Sequence, residues 1–209
     1  MLLLVSLLLF QASDLSGTRH TDAIPADFAA PVAAAMAPGG VKASVGANTL
    51  TFWFVKEFPA SAEASAGKAV TSWSDVKEGT LVGTVRIEKD FRDIRGRVIK
   101  AGSYSLRYGI QPANGDHLGV SPYREFLLLS PAKLDTDVAA KPHDPLVELS
   151  KETIGGSHPA VWSIDPPVAA TAPLTVHTTE LGHKAIVLEL PAAGGALRFG
   201  LVLIGKIEA

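Results

Sequence analysis

From Val41 onward the chain is a succession of short runs in which β-branched and aromatic residues alternate with polar ones. This period of two constrains the fold more than any other feature, because it places apolar side chains on one face of an extended chain. Residues 48–58, NTLTFWFVKEF, set the pattern: Leu50, Phe52, Phe54 and Lys56 share one face, and Thr49, Thr51, Trp53, Val55 and Glu57 the other. Residues 81–88 alternate again. Residues 97–99 lead through Lys100 and Ala101 into SYSLRYGI and read as a hairpin turning at Gly102. The FLLL run within 125–130 reads as a strand covered on both faces. Residues 174–179, 184–190 and 196–208 complete the set, the last two joined by a turn over 191–195. About eight strands at regular spacing predict an all-β fold, an antiparallel β-sandwich or jelly-roll-like barrel.

One short helix interrupts the strands near residues 144–154. Asp144 is placed to cap it, Pro145 sits where its missing N–H costs nothing, and Gly155 and Gly156 stop it. A briefer helical turn is expected at 74–77, and 60–69, rich in Ala, Ser and Gly, reads as a long loop. Trp53 and Trp162 are assigned to the core.

Residues 2–10 form an almost unbroken apolar run and read as the core of a signal peptide spanning 1–17, with the cleavage position open. The run falls short of the roughly 20 apolar residues a membrane-spanning helix needs, and Asp14, Arg19 and His20 soon follow, so no stable transmembrane span is expected. Residues 18–40, dominated by Ala and Pro, read as a leader, leaving 41–209 as a single domain. A periplasmic or secreted location follows. With no Cys, disulfides and thiolate metal sites are excluded. The 19 basic and 21 acidic residues nearly cancel and form no basic block, which argues against nucleic acid and against a polybasic membrane patch.

Chemically suggestive residues gather in two loops, NGDHLGVSPYR at 114–124 and GGSHPAVW at 155–162. If the fold joins them, His117, His158 and Asp116 supply imidazole and carboxylate ligands suited to a divalent metal. With Tyr108 of the SYSLRYGI strand, the same loops offer a ligand-binding set: Tyr108, Tyr123, Arg124, His117 and His158, with rings to stack on sugars and an Arg to donate hydrogen bonds. Ser157 beside His158 does not make a hydrolase, since neighbouring side chains rarely face one another and G-x-S-x-G is absent. The Gly-Gly-Ser-His segment follows a helix instead of opening one, the reverse of a phosphate cradle. His143 belongs to the start of the helix, and His177 and His183 flank a hairpin.

Residues 96–108, GRVIKAGSYSLRY, together with Gly83, resemble an exported bacterial domain-of-unknown-function family, numbered 2911, in which a strand leads through Ala-Gly into a Tyr-Ser-Leu strand. Gly102, Tyr104, Ser105 and Leu106 carry the resemblance, and DFRDIRG, GDHLGVSPYREFLLL and GGSHPAV look like an uncharacterised group related to it. The resemblance implies an all-β extracytoplasmic domain and carries over no catalytic residue.

The leading functional reading is a binding module without a cofactor, for a small molecule, a glycan or an envelope protein. The alternative is a metal-assisted enzyme using His117 and His158, and a third reading is an envelope-assembly subunit that offers strand 196–207 as an exposed sheet edge. Whether the chain is an enzyme, and its oligomeric state, stay open at this level.

Overall fold

In the computed structural model, residues 15–61, 73, 76–111, 123–165, 171–193 and 195–205 are described. The strands are β1 (Leu15–His20), β2 (Gly40–Val45), β3 (Asn48–Phe54), β4 (Phe58–Ser61), β5 (Leu81–Ile87), β6 (Phe91–Arg92), β7 (Val98–Ile99), β8 (Gly102–Ile110), β9 (Glu125–Pro131), β10 (Val161–Asp165), β11 (Val176–Thr178), β12 (Lys184–Ala193) and β13 (Gly195–Ile204). Two helices, α1 (Ala30–Ala35) and α2 (His143–Lys151), stand among them. Ten strands are hydrogen-bonded in the series β1-β2-β3-β5-β8-β9-β10-β13-β12-β11, and β4 joins β12 off that path.

The fold is thus mainly β, as the alternation predicts, with two corrections. The strands outnumber the eight expected, and β4 runs parallel to β12, so the sheet is mixed and not purely antiparallel. The sheet curls until its ends meet: Arg19 of β1 pairs with Glu189 of β12 at 3.4 Å, and a Cβ on Gly17 would fall 2.5 Å from Ile186 Cδ1. Inside the curl an aromatic file joins opposite walls. Phe91 meets Trp162 at 5.8 Å, Trp162 meets Phe52 at 6.0 Å, and beyond Phe54 the ring of Phe199 meets Trp73 at 5.5 Å. Trp53 and Trp162 are both buried. Lys56, expected on the apolar face of its strand, lies beyond the end of β3, exposed, with Nζ donating to Ala34 O at 2.7 Å.

Several local expectations also change. Residues 15–17, expected as the end of the signal peptide, and the stretch expected as a leader are packed into the domain: β1 pairs along its whole length with β2, and Phe28, Val32 and Met36 around α1 are buried. Backbone bonds from Ala37 N to Phe54 O and from Lys56 N to Ala35 O fasten α1 to the end of β3. No hairpin turns at Gly102, because β7 pairs with β6 and β8 pairs with β5. The edge strand expected at 196–207 is β13, which lies between β10 and β12, paired along its length with β12 and at Gly200 and Leu201 with β10. The helix expected at 144–154 is α2 followed by turns to Gly155, whose φ of +63° explains the glycine. Pro142, not Asp144, is the N-cap, and no side chain caps the helix; Asp144 instead sits in the first turn, where its charge suits the helix dipole. The turn expected at 74–77 and the loop at 60–69 fall largely outside the described residues, as do residues 1–14 of the expected signal peptide. Among the described residues, no helix is long and apolar enough to cross a membrane.

β9 explains where surface features can form. Leu127 and Leu129 face the main core, while Phe126 and Leu128 face outward and are covered by Leu146 of α2 with Val161 of β10. Ser150 Oγ and Thr153 Oγ1 both donate to Leu129 O, at 2.7 and 2.8 Å, so α2 is fixed to β9 by polar as well as apolar contacts.

Candidate functional site

The short β6–β7 ribbon turns on Asp93, whose buried carboxylate accepts from the backbone N–H of Arg95 and of Arg97, each at 2.9 Å. Gly96, at φ +77°, completes the turn. Asp93 and Gly96 thereby set two arginines on either side of a tight bend. Arg95 reaches across to His158, its Nη1 lying 3.1 Å from the ring Nε2. The other ring nitrogen, Nδ1, lies 2.9 Å from Pro159 O. A carbonyl only accepts and a guanidinium only donates, so Nδ1 carries the hydrogen and Nε2 is the acceptor. The histidine that stood out in the sequence is thus a strut that orients Arg95.

Two clefts meet at Ser157 and His158. The smaller, of about 290 Å³, is walled by Arg95, Phe126, Pro159 and Val161 and by the α2 residues His143, Val147 and Lys151. Those three helix positions fall at i, i+4 and i+8 and form one stripe. The larger, of about 650 Å³, runs past Arg97, Val98, Lys100, Glu152 and residues 153–156. Burial and the neighbouring Arg97 charge push the Arg95 guanidinium below its ordinary range, while Asp93 pulls it back. Arg97 Nη1 is buried and has no hydrogen-bond partner among the described residues. His143 Nδ1 faces Glu78 Oε1 at 2.9 Å, and the same oxygen accepts from Ile110 N.

The remaining sequence candidates lie elsewhere. His117 and Asp116 fall outside the described residues, so the meeting of the two loops does too. Tyr108 is fully buried in the core, its ring 5.2 Å from that of Trp73, with no hydrogen-bond partner for its hydroxyl among the described residues. Burial, with Glu125 and Glu78, pushes its phenol up. Arg124 donates twice to Gln111 O, at 2.8 and 2.6 Å, clasping the two chain segments that flank residues 112–122; Gln111 also lines the smaller cleft. Tyr123 is partly buried, and burial together with the charges of Asp165 and Glu180 raises its phenol. Among the described residues, no group of three or more His, Asp or Glu is placed to hold a metal ion.

Sequence reasoning missed two polar centres. The first is Arg107 on β8, wholly buried, whose Nε and Nη2 donate to the two carboxylate oxygens of Asp135 at 2.6 and 2.8 Å. Its other N–H groups donate to Gly79 O, Ala139 O and Asp137 O, and Ser105 Oγ donates to Asp135 Oδ2. All five guanidinium donors thus have acceptors, the arrangement of a structural staple. The second is His177, with Nε2 2.7 Å from Asp165 Oδ2. Its ring lies over Gly200, where a Cβ would sit 2.9 Å from Cε1. His177 Nδ1 engages no hydroxyl among the described residues, so the pair has the orienting half of a triad without a nucleophile. Comparison with family models, with characterised proteins and with solved structures finds no match to this chain.

Proposed function

We propose that the chain is a binding domain whose ligand seats at the Ser157 and His158 saddle between the two clefts. The observation that carries this reading is convergence: the β6–β7 turn, one stripe of α2, the outer face of β9, the start of β10 and the loop after α2 line two clefts that meet at Ser157 and His158. Concave sites with an apolar floor and a few oriented polar groups are where proteins take small ligands. Binding is favoured over catalysis because the His158 lone pair that a general base would use already accepts from Arg95. The test is a ligand screen by NMR on the full isotopically labelled chain, using small acids, alcohols, amines and monosaccharides. Hits are expected to shift the amides of Val147, Gly156, Ser157 and Val161. Hits that leave those amides unmoved and shift others would place the site elsewhere and defeat the reading.

The domain is further proposed to act outside the cytoplasm, in the periplasm or after secretion. Residues 2–10 and the resemblance to an exported family support this. Fractionation of expressing cells with an intact mass of the recovered protein tests it: cytoplasmic protein of full mass would refute export.

A further inference from the structure

The charge around the saddle is out of keeping with the rest of the molecule. The chain carries a net charge of -2, yet Arg95, Arg97, Lys100 and Lys151 line the two clefts, and among the described residues that line them Glu152 is the one acid. Lys100 and Lys151 are already matched, by Asp90 at 2.8 Å and by Glu148 at 2.6 Å. The two arginines are different. Among the described residues neither forms an ion pair with a carboxylate side chain, although Asp93, whose carboxylate accepts from the backbone N–H groups of both, offsets part of the Arg95 charge. Arg95 is held by His158 beside a floor of Phe126, Val147, Pro159 and Val161.

From this we infer that the smaller cleft at the saddle takes an organic anion, its carboxylate or phosphate held by Arg95 and its apolar body lying against Phe126, Val147, Pro159 and Val161. The inference rests on the binding reading above and narrows it to a chemical class. A planar guanidinium suits either oxyanion because both accept two parallel N–H bonds. The apolar floor adds a requirement that a bare inorganic ion does not meet.

The experiment is titration of the full chain, followed by NMR, with benzoate, phenyl phosphate, inorganic phosphate, benzyl alcohol and benzylamine. Benzoate or phenyl phosphate is expected to bind at the saddle at least tenfold more tightly than benzyl alcohol or benzylamine, and the preference between the two acids separates a carboxylate from a phosphate ligand. Arg95→Gln should weaken the acid at least tenfold, Arg95→Lys less, and Phe126→Ala should weaken phenyl phosphate towards inorganic phosphate. Raising salt should weaken the acids and leave benzyl alcohol unchanged. Benzyl alcohol or benzylamine binding at the saddle as tightly as the acids would overturn the anion inference and leave the binding site standing. Failure of every probe to shift a saddle amide would overturn both.

Discussion

Replacing Asp135 with Asn should cost more stability than any other single isosteric change in this chain. Asp135 and Arg107 are both 0% exposed, so the substitution leaves a guanidinium charge in the interior without its counter-charge. The new amide keeps one acceptor oxygen but presents its NH2 group to a donor, so at least one of the two bonds at 2.6 and 2.8 Å is lost. The carbonyls of Gly79, Ala139 and Asp137 still accept from Arg107 and limit the damage. Breaking one side of a buried ion pair costs about 3–5 kcal/mol. For a chain of this size that corresponds to a fall in Tm of about 6–20 °C. Urea unfolding followed by circular dichroism gives the free energy, and scanning calorimetry gives Tm. A loss below about 1 kcal/mol would refute the reasoning. The double variant Arg107→Met, Asp135→Leu removes both charges, and its cost should fall below the sum of the two single variants by at least about 2 kcal/mol. A purely additive result would show that the pair is not coupled.

Gly79→Ala should destabilise by about 2–5 kcal/mol, since φ is +81° and a Cβ would sit 1.9 Å from Lys141 O, whereas Gly96→Ala, at φ +77° with open space around it, should cost about 1–2 kcal/mol; parallel urea melts compare them. Tyr104, Tyr108 and Tyr123, the three tyrosines of the chain, are all raised above 10.0, by burial first, so native tyrosinate absorbance should develop only above that pH while the urea-unfolded chain titrates near it. Their contribution to stability is complete below the unfolded value and is lost as pH rises towards the folded ones, so a native midpoint at or below 10 would contradict the burial. Asp90 is lowered from 3.8, by the Lys100 hydrogen bond first and then by Ala101 N–H, so its stabilisation is present above the unfolded value and lost as pH falls through the folded one; Lys100→Ala should move the Asp90 carboxyl titration, read by NMR, back towards 3.8. A chain beginning at Thr21 should be less stable than one beginning at Leu15, because only the longer one retains β1 and its pairing with β2; equal urea midpoints would show that β1 contributes nothing.

Legibility in the sequence followed the range of the forces. β3, β5 and β9 announce themselves because their burial is written into their own alternation or apolar runs. α2 is visible through Pro145 and the Gly155 stop. β1, with the sequence LSGTRH, has no apolar period to read, and its order comes from the backbone of β2. β6 and β7 have two residues each, too few for any period, and so the hairpin was expected one strand too late. The site shows the same division. His158 is conspicuous as a loop histidine, but Arg95, which gives it a role, lies 63 residues away in sequence. Asp93 with Gly96 three residues later was a usable turn signal for the arginine pair. Arg107 could not be told from a surface arginine, because Asp135 is 28 residues distant and nothing local marks it as a partner.

The curl of the sheet also imposes an order on folding. β4, near the start of the domain, finds its parallel partner only in β12, and Arg19 meets a glutamate 170 residues further along. On a ribosome, the early strands therefore leave the tunnel long before the strand that closes them exists. Until β12 and β13 are made, the apolar faces of β3 and β5 lack their opposite wall, and β4 has an open edge. Such dependence on distant contacts gives slow folding and a prolonged window for self-association. Loss of the last two strands to premature termination would leave a sticky, half-built sheet, while loss of β1 removes only one edge strand.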